Sequence, residues 1–204
     1  MEARQISGPA GPLEAVVRQP AEPKALAVIC HPHPLYGGTM QNKVVTMLDR
    51  GLHELGLVTW RFNFRGVGAS AGTHDHGDGE QHDLAAVVEH ATQHFPGLPL
   101  WLAGFSFGAW VSARQAATLG AAKLISVAPP VGKWSYDGVD PGCPWTVLQG
   151  DADEVIDAGQ VFGYFDRQHP RANVLRFDGA GHFFHGRMTE LRERLQQAVA
   201  PHLP

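Results

Sequence analysis

Cysteine is scarce in this chain of 204 residues: only Cys30 and Cys143 occur, in no CxxC pair and in no Cys/His spacing that suits zinc. That excludes a disulfide-stapled scaffold and a structural thiolate-zinc site, and leaves two free, core-type thiols as in a reducing compartment. Long apolar runs are also missing. No stretch approaches the ~18 residues of a membrane-spanning helix, and the opening MEARQISGPAGPLE lacks the apolar core of a secretory signal. Neither sign of charge dominates: 16 basic against 20 acidic residues give a net charge of −4, with the basic residues scattered rather than clustered. Nucleic acid and anionic membrane are therefore not expected as partners, and the expected location is the cytoplasm. There are no repeats, low-complexity blocks or linkers, so a single domain over residues 1–204 is expected.

What is present is an alternation of short apolar runs and amphipathic segments. The runs are Ala25 to Cys30, Val58 to Phe64, Leu100 to Ala103, Lys123 to Val127, Trp145 to Leu148 and Val174 to Phe177. Several are continuously apolar, as strands covered on both faces must be. Between them, Leu84, Val87, Val88, Ala91 and Phe95 form one helical stripe, and Met188, Leu191, Leu195 and Val199 another. This pattern predicts an α/β fold: a mostly parallel sheet of about eight strands flanked by helices on both faces. Two short runs around Gly8, Gly11 and Pro12 predict an antiparallel N-terminal edge. In such sheets chemistry gathers at the carboxyl ends of the strands.

Three strand ends carry reactive side chains. After Leu100 to Ala103 comes Gly104-Phe105-Ser106-Phe107-Gly108, a G-x-S-x-G turn that leads into a helical segment. Glycines are needed there because the turn is sharp enough to bring the serine flanks against the neighbouring strand and helix. The turn also places the Phe107 N–H at a helix N-terminus, where it suits an oxyanion. A serine hydroxyl needs a base, and the base needs an orienting carboxylate. Asp153 follows the strand Trp145 to Leu148, and His182 follows Val174 to Phe177 between glycines. Asp151 suits turn geometry, Asp157 suits a helix cap, and His185 suits a helix face.

The chain resembles the α/β-hydrolase superfamily over its whole length. The segments CHPHPLYGGTM (residues 30–40) and RFNFRGVG (residues 61–68) are similar to those of a small, lidless bacterial subgroup of uncharacterised serine esterases. The resemblance implies the α/β-hydrolase fold with no cap domain, Ser106 as nucleophile, Asp153 as acid and His182 as base. It implies no cofactor or metal and a small-molecule ester as substrate, with thioesters or small amides as the nearest alternatives. A catalytically idle binding module is the rival from another class. The second oxyanion donor is expected in the loop after Ala25 to Cys30. Proline has no N–H, which leaves His33, Leu35 or Tyr36; matching His31-Pro32 to the His-Gly pair of many relatives favours His33. Thr39 is expected to cap the next helix. Lids in this fold enter after the sixth strand, and Ala128 to Pro144 is too short and too rich in proline and glycine to build one. An open, shallow cleft walled by Leu35, Tyr36, Phe107, Trp134, Tyr136 and Phe183 is expected.

Three other patterns point to weaker expectations. Gly66 to Ala71 reads G-x-G-x-x-A after a strand, but GTHDHGDG follows instead of the helix a dinucleotide site needs. His74, Asp75, His76, Asp78, His82 and Asp83 are expected as a solvated loop and helix entry rather than metal ligands. His90 and His94 lack the glutamate of HExxH and are expected on the surface.

Overall fold

Every apolar run becomes a strand in the computed structural model, which describes all 204 residues. The strands are β1 (Glu2–Gly8), β2 (Gly11–Arg18), β3 (Ala25–Cys30), β4 (Leu57–Phe62), β5 (Leu100–Phe105), β6 (Lys123–Val127), β7 (Trp145–Gly150) and β8 (Asn173–Phe177). They form one sheet in the order β1-β2-β4-β3-β5-β6-β7-β8. β1 and β2 form an antiparallel hairpin, β2 runs antiparallel to β4, and all pairings from β4 through β8 are parallel. The helices are α1 (Lys43–Glu54), α2 (Asp78–His94), α3 (Phe107–Gln115), α4 (Ala158–Gln168) and α5 (Met188–Val199).

β3 shows why its run carries no polar residue. Ala25, Ala27 and Ile29 pack toward α1 and α5, while Leu26, Val28 and Cys30 pack toward α2, α3 and α4. Side chains alternate between two cores, so both faces must be apolar. Burial pushes the Cys30 thiol up to about 12, which keeps it a packing group rather than a nucleophile. β4 departs from this rule in an instructive way. On its α1 side it buries Thr59 and Arg61, and both meet Asp49 of α1, at 2.5 Å and 3.1 Å. The charge is tolerated because it is paired and hydrogen-bonded.

Helix α1 starts later than expected. The Thr39 hydroxyl accepts the Gln41 N–H (3.2 Å) in a preceding turn, and Asn42 is the cap, accepting from the Val44 N–H (2.9 Å). Asp157 caps α4 as expected, through the Gln160 N–H at 3.1 Å. Asp157→Ala should therefore lower the urea midpoint slightly; an unchanged midpoint would remove the cap from the account.

Asp75, His76, Asp78 and His82 are exposed, as a solvated loop and helix entry should be, but Asp83 is not. Asp83 is fully buried and grips Arg65 through both carboxylate oxygens, at 2.8 and 3.0 Å. Glu80, also fully buried, accepts from His74, from the Asp75 N–H and from the Gly77 N–H. Arg65, His74 and two backbone N–H groups thus take up these two acids and close the entry to α2, a use that the run of polar letters does not reveal. His90 and His94 lie on the outer part of α2, their rings 4.2 Å apart and packed against Trp60. Between β6 and β7, residues 128–144 contain one isolated bridge, Val131 to Trp134, and no helix, so the fold has no lid.

Candidate active site

β5 delivers Ser106 at its carboxyl end and α3 begins on the next residue. The backbone there is strained: Ser106 adopts φ 52° and ψ −118°, a conformation of order 1–3 kcal/mol above the ordinary regions. Neighbours hold it in place. The Ser106 N–H donates to the Val127 carbonyl of β6 at 2.9 Å. A Cβ on Gly104 would lie 2.2 Å from the Gly108 carbonyl oxygen, and one on Gly108 would lie 2.4 Å from that of Cys30. Both approaches are closer than any side chain permits, which accounts for the two glycines of the pentapeptide.

β7 and β8 deliver the partners. Asp151 serves as a staple between their loops, accepting from the Gly179 N–H (2.6 Å) and pairing with Arg176 (2.9 Å). With the loops tied, the His182 ring lies between Asp153 and Ser106: Nδ1 is 2.8 Å from Asp153 Oδ2 and Nε2 is 3.1 Å from Ser106 Oγ. His182 is 2% exposed and the Asp153 side chain is fully buried, whereas Ser106 keeps some contact with solvent. Asp153 Oδ1 accepts from the Val155 and Ile156 N–H groups, and Oδ2 also accepts from Gln149. Burial pushes the Asp153 pKa up, but the bonds from His182, Ile156 and Val155 outweigh it and hold the carboxyl below its ordinary value. An ionised carboxylate only accepts, so the His182 Nδ1 carries its proton and Nε2 faces the serine as an acceptor. Gln149 and Glu154, whose carboxylate receives the His182 N–H at 3.0 Å, complete this arrangement. Sequence reasoning passed over both, since neither stands in a recognisable spacing.

Ser106, His182 and Asp153, separated by 76 and 29 residues, meet in one chain of hydrogen bonds. Residues 21–143 match the Hydrolase_4 family, described as serine aminopeptidase, S33. The chain belongs to this family of α/β hydrolases. Its fold superposes on XC6422 from Xanthomonas campestris, an α/β serine hydrolase without a lid, with TM-score 0.97 and 47% identity, over 100% of this chain and 95% of that one. An α/β serine hydrolase homologue from Coxiella burnetii is 48% identical at TM-score 0.92, covering 97% of both chains. An uncharacterised protein of Rickettsia prowazekii, RP471, is 33% identical over 93% of this chain and 85% of its own length.

The loop after β3 lies beside the serine turn of this hydrolase. The Leu35 N–H is taken by the His33 ring (3.2 Å) and the Tyr36 N–H by the His33 carbonyl (3.1 Å). Of the three amides left open by the sequence, only that of His33 has no partner within the protein, and the Phe107 N–H is likewise unspent. The base of the loop is clipped by His31, fully buried, whose Nδ1 meets the Pro32 carbonyl (2.6 Å) and whose Nε2 accepts the Phe64 N–H (3.0 Å).

The expected walls are only partly assembled. The Trp134 ring packs on Phe107 at 5.0 Å and Trp110 at 4.6 Å, with His33 at 5.8 Å. Leu35 and Tyr36 sit exposed on the single turn beside His33, the Tyr36 ring 4.8 Å from the His33 ring. Phe183 lies on the other side, 5.0 Å from His182. Phe107 has its ring buried beneath Trp134. Tyr136 is not brought to the site. It is 4% exposed and packs against Trp145 and Tyr164, because the chain turns inward after Ser135. His185 stands in an exposed turn before α5 rather than on the helix. A cavity of about 560 Å³ around Cys143, Trp145 and His169 is lined by none of the Ser106, Asp153 or His182 side chains. No helix is long and apolar enough to cross a membrane.

Proposed function

We propose that this serine hydrolase cleaves carboxylic esters of short acyl groups through an acyl-enzyme, with Ser106 as nucleophile, His182 as general base and acid, and Asp153 as the orienting carboxylate. The observation that carries the reading is the continuous relay from Ser106 Oγ through His182 to Asp153 at 3.1 and 2.8 Å. His182 Nε2 takes the serine proton as Oγ attacks the ester carbonyl. The resulting oxyanion is met by the His33 and Phe107 N–H groups, both free of other partners. The proton then passes to the departing alkoxide, and water repeats the sequence on the acyl-serine.

The acyl preference rests on the absence of a lid and on an apolar wall limited to Trp134, Leu35, Tyr36 and Phe183. Each methylene the cleft covers contributes about 0.8 kcal/mol, and the gain stops where the cleft ends. A series of p-nitrophenyl esters should give kcat/KM highest for acyl groups of roughly two to six carbons, with no jump in rate at the micelle threshold. A preference for long-chain emulsified esters would overturn the reading. The family's description as a serine aminopeptidase makes amides the second reading. An aminoacyl p-nitroanilide and an acyl thioester of matched chain length belong in the same panel, and faster turnover of either would replace the ester as the substrate class.

A further inference from the structure

Basic residues that lie far apart in the sequence meet on the flank of the sheet. Arg18 at the end of β2, Lys43 and Arg50 of α1, and Arg192 of α5 surround a pocket of about 400 Å³. The chain as a whole carries a net −4, yet no carboxylate lines this pocket. Two acids behind it offset the charge only in part. Asp49 lies 3.3 Å from Arg18 but is shared with Arg61. Glu54 is shared between Arg50 (2.8 Å) and Arg192 (3.4 Å). Lys43 has no acidic partner, and it occupies the first position of a helix with no acid in its first turn, the reverse of what the helix dipole favours. Four like charges gathered on a concave surface repel one another, and that repulsion is relieved by an anion placed among them. Thr46 and Thr189 add hydroxyls to the rim, and Met47 and Met188 add apolar surface.

We propose that the pocket between α1 and α5 is a binding site for a small phosphate-bearing molecule, separate from Ser106. A phosphate fits the donor set: guanidinium forks bind its oxygens in pairs, and an ammonium adds a point charge. The concavity favours a compact anion. A lipid bilayer would need an apolar or basic surface projecting outward, and these side chains instead line an open hollow.

The test measures inorganic pyrophosphate binding to the full chain by calorimetry and thermal unfolding, with ionic strength held constant by sodium chloride. Wild type should bind with Kd near or below about 1 mM, and its Tm should rise by about 4 °C at ten times that concentration. Lys43→Gln combined with Arg50→Gln should weaken binding at least tenfold. Both substitutions lie on exposed helix positions, so the fold is retained, and labelling of Ser106 by a fluorophosphonate should match wild type. Equal binding by the double variant, or no pyrophosphate effect beyond that of chloride, would overturn the proposal. Binding to phosphatidylserine vesicles without any response to pyrophosphate would overturn it in favour of a membrane surface. None of these outcomes bears on the hydrolase reading, which the ester panel tests separately.

Discussion

Ser106→Ala is expected to fold like the parent and to lose ester hydrolysis by roughly 10³-fold or more. The hydroxyl is the only group at the strained turn able to attack a carbonyl, and it stands 3.1 Å from the base. Alanine removes Oγ without disturbing the Ser106 N–H bond to Val127 that fixes the turn. His182→Ala should cost about as much, and the double variant little more, because serine and base act as one unit. Asp153→Asn should be impaired by roughly 10²-fold or more. The amide can accept from Val155 and Ile156 through its oxygen, but its NH₂ then faces the His182 Nδ1–H, so the imidazole loses the partner that sets its tautomer. Asp151→Asn should stay active, since its amide oxygen still holds the Gly179 N–H. Kinetics on a short-chain ester, with circular dichroism to confirm folding, decide the matter. If Asp151→Asn were dead and Asp153→Asn active, the acid would have to be reassigned. More than a tenth of the parent rate in Ser106→Ala would remove the serine from the mechanism.

Most features legible in sequence are written in a short stretch of chain, as an apolar run, a pentapeptide turn or a cap. β3 falls where its run predicts, because burial on both faces leaves no polar residue to blur an edge, and β6 does so with Lys123 and Ser126 buried among its apolar residues. β5 runs two residues beyond the apolar run, through Gly104 and Phe105, since the serine turn continues the strand's hydrogen bonding. Asp157 is a readable cap because its acceptor and the Gln160 N–H are three residues apart. Thr39 misled for a related reason: threonine stabilises a turn as readily as a helix start, and Asn42 competes for the same role three residues on. Tyr136 and Asp83 depart from expectation because their partners are distant. The ring is covered by Trp145 and Tyr164, and Asp83 is claimed by Arg65, which no local pattern announces. The scatter of basic residues in sequence likewise hid the meeting of Arg18, Lys43, Arg50 and Arg192, which needs three separate elements to be packed first.

Acid should destabilise the fold through His31 from about pH 6.5 downward. The ring is fully buried in a setting that admits only its neutral form. On one side Nδ1 faces the Pro32 carbonyl, which only accepts, so Nδ1 carries the proton. On the other side Nε2 faces the Phe64 N–H, which only donates, so a second proton there would break that bond and leave two donors opposed. Burial pushes the His31 pKa down from 6.5 to about 4, further than its bond to Pro32 can raise it. The unfolded chain takes up a proton near pH 6.5, while the folded chain resists until about pH 4. Between those values the unfolded state binds more protons, so stability falls as pH falls; above the window there is no effect, and below it the loss is complete. The loss attributable to this ring is about 3 kcal/mol, a large part of the stability of an ordinary domain. His31→Gln offers one donor and one acceptor without titrating in this range, so urea unfolding of both proteins from pH 7.5 to 4 isolates the contribution. His33, His90, His169 and His202 are also pushed down by burial, but they titrate in both proteins and cancel in the difference. Wild type should lose about 3 kcal/mol more than His31→Gln across the window, and parallel curves would show that the clip between the His33 loop and Phe64 tolerates an imidazolium after all.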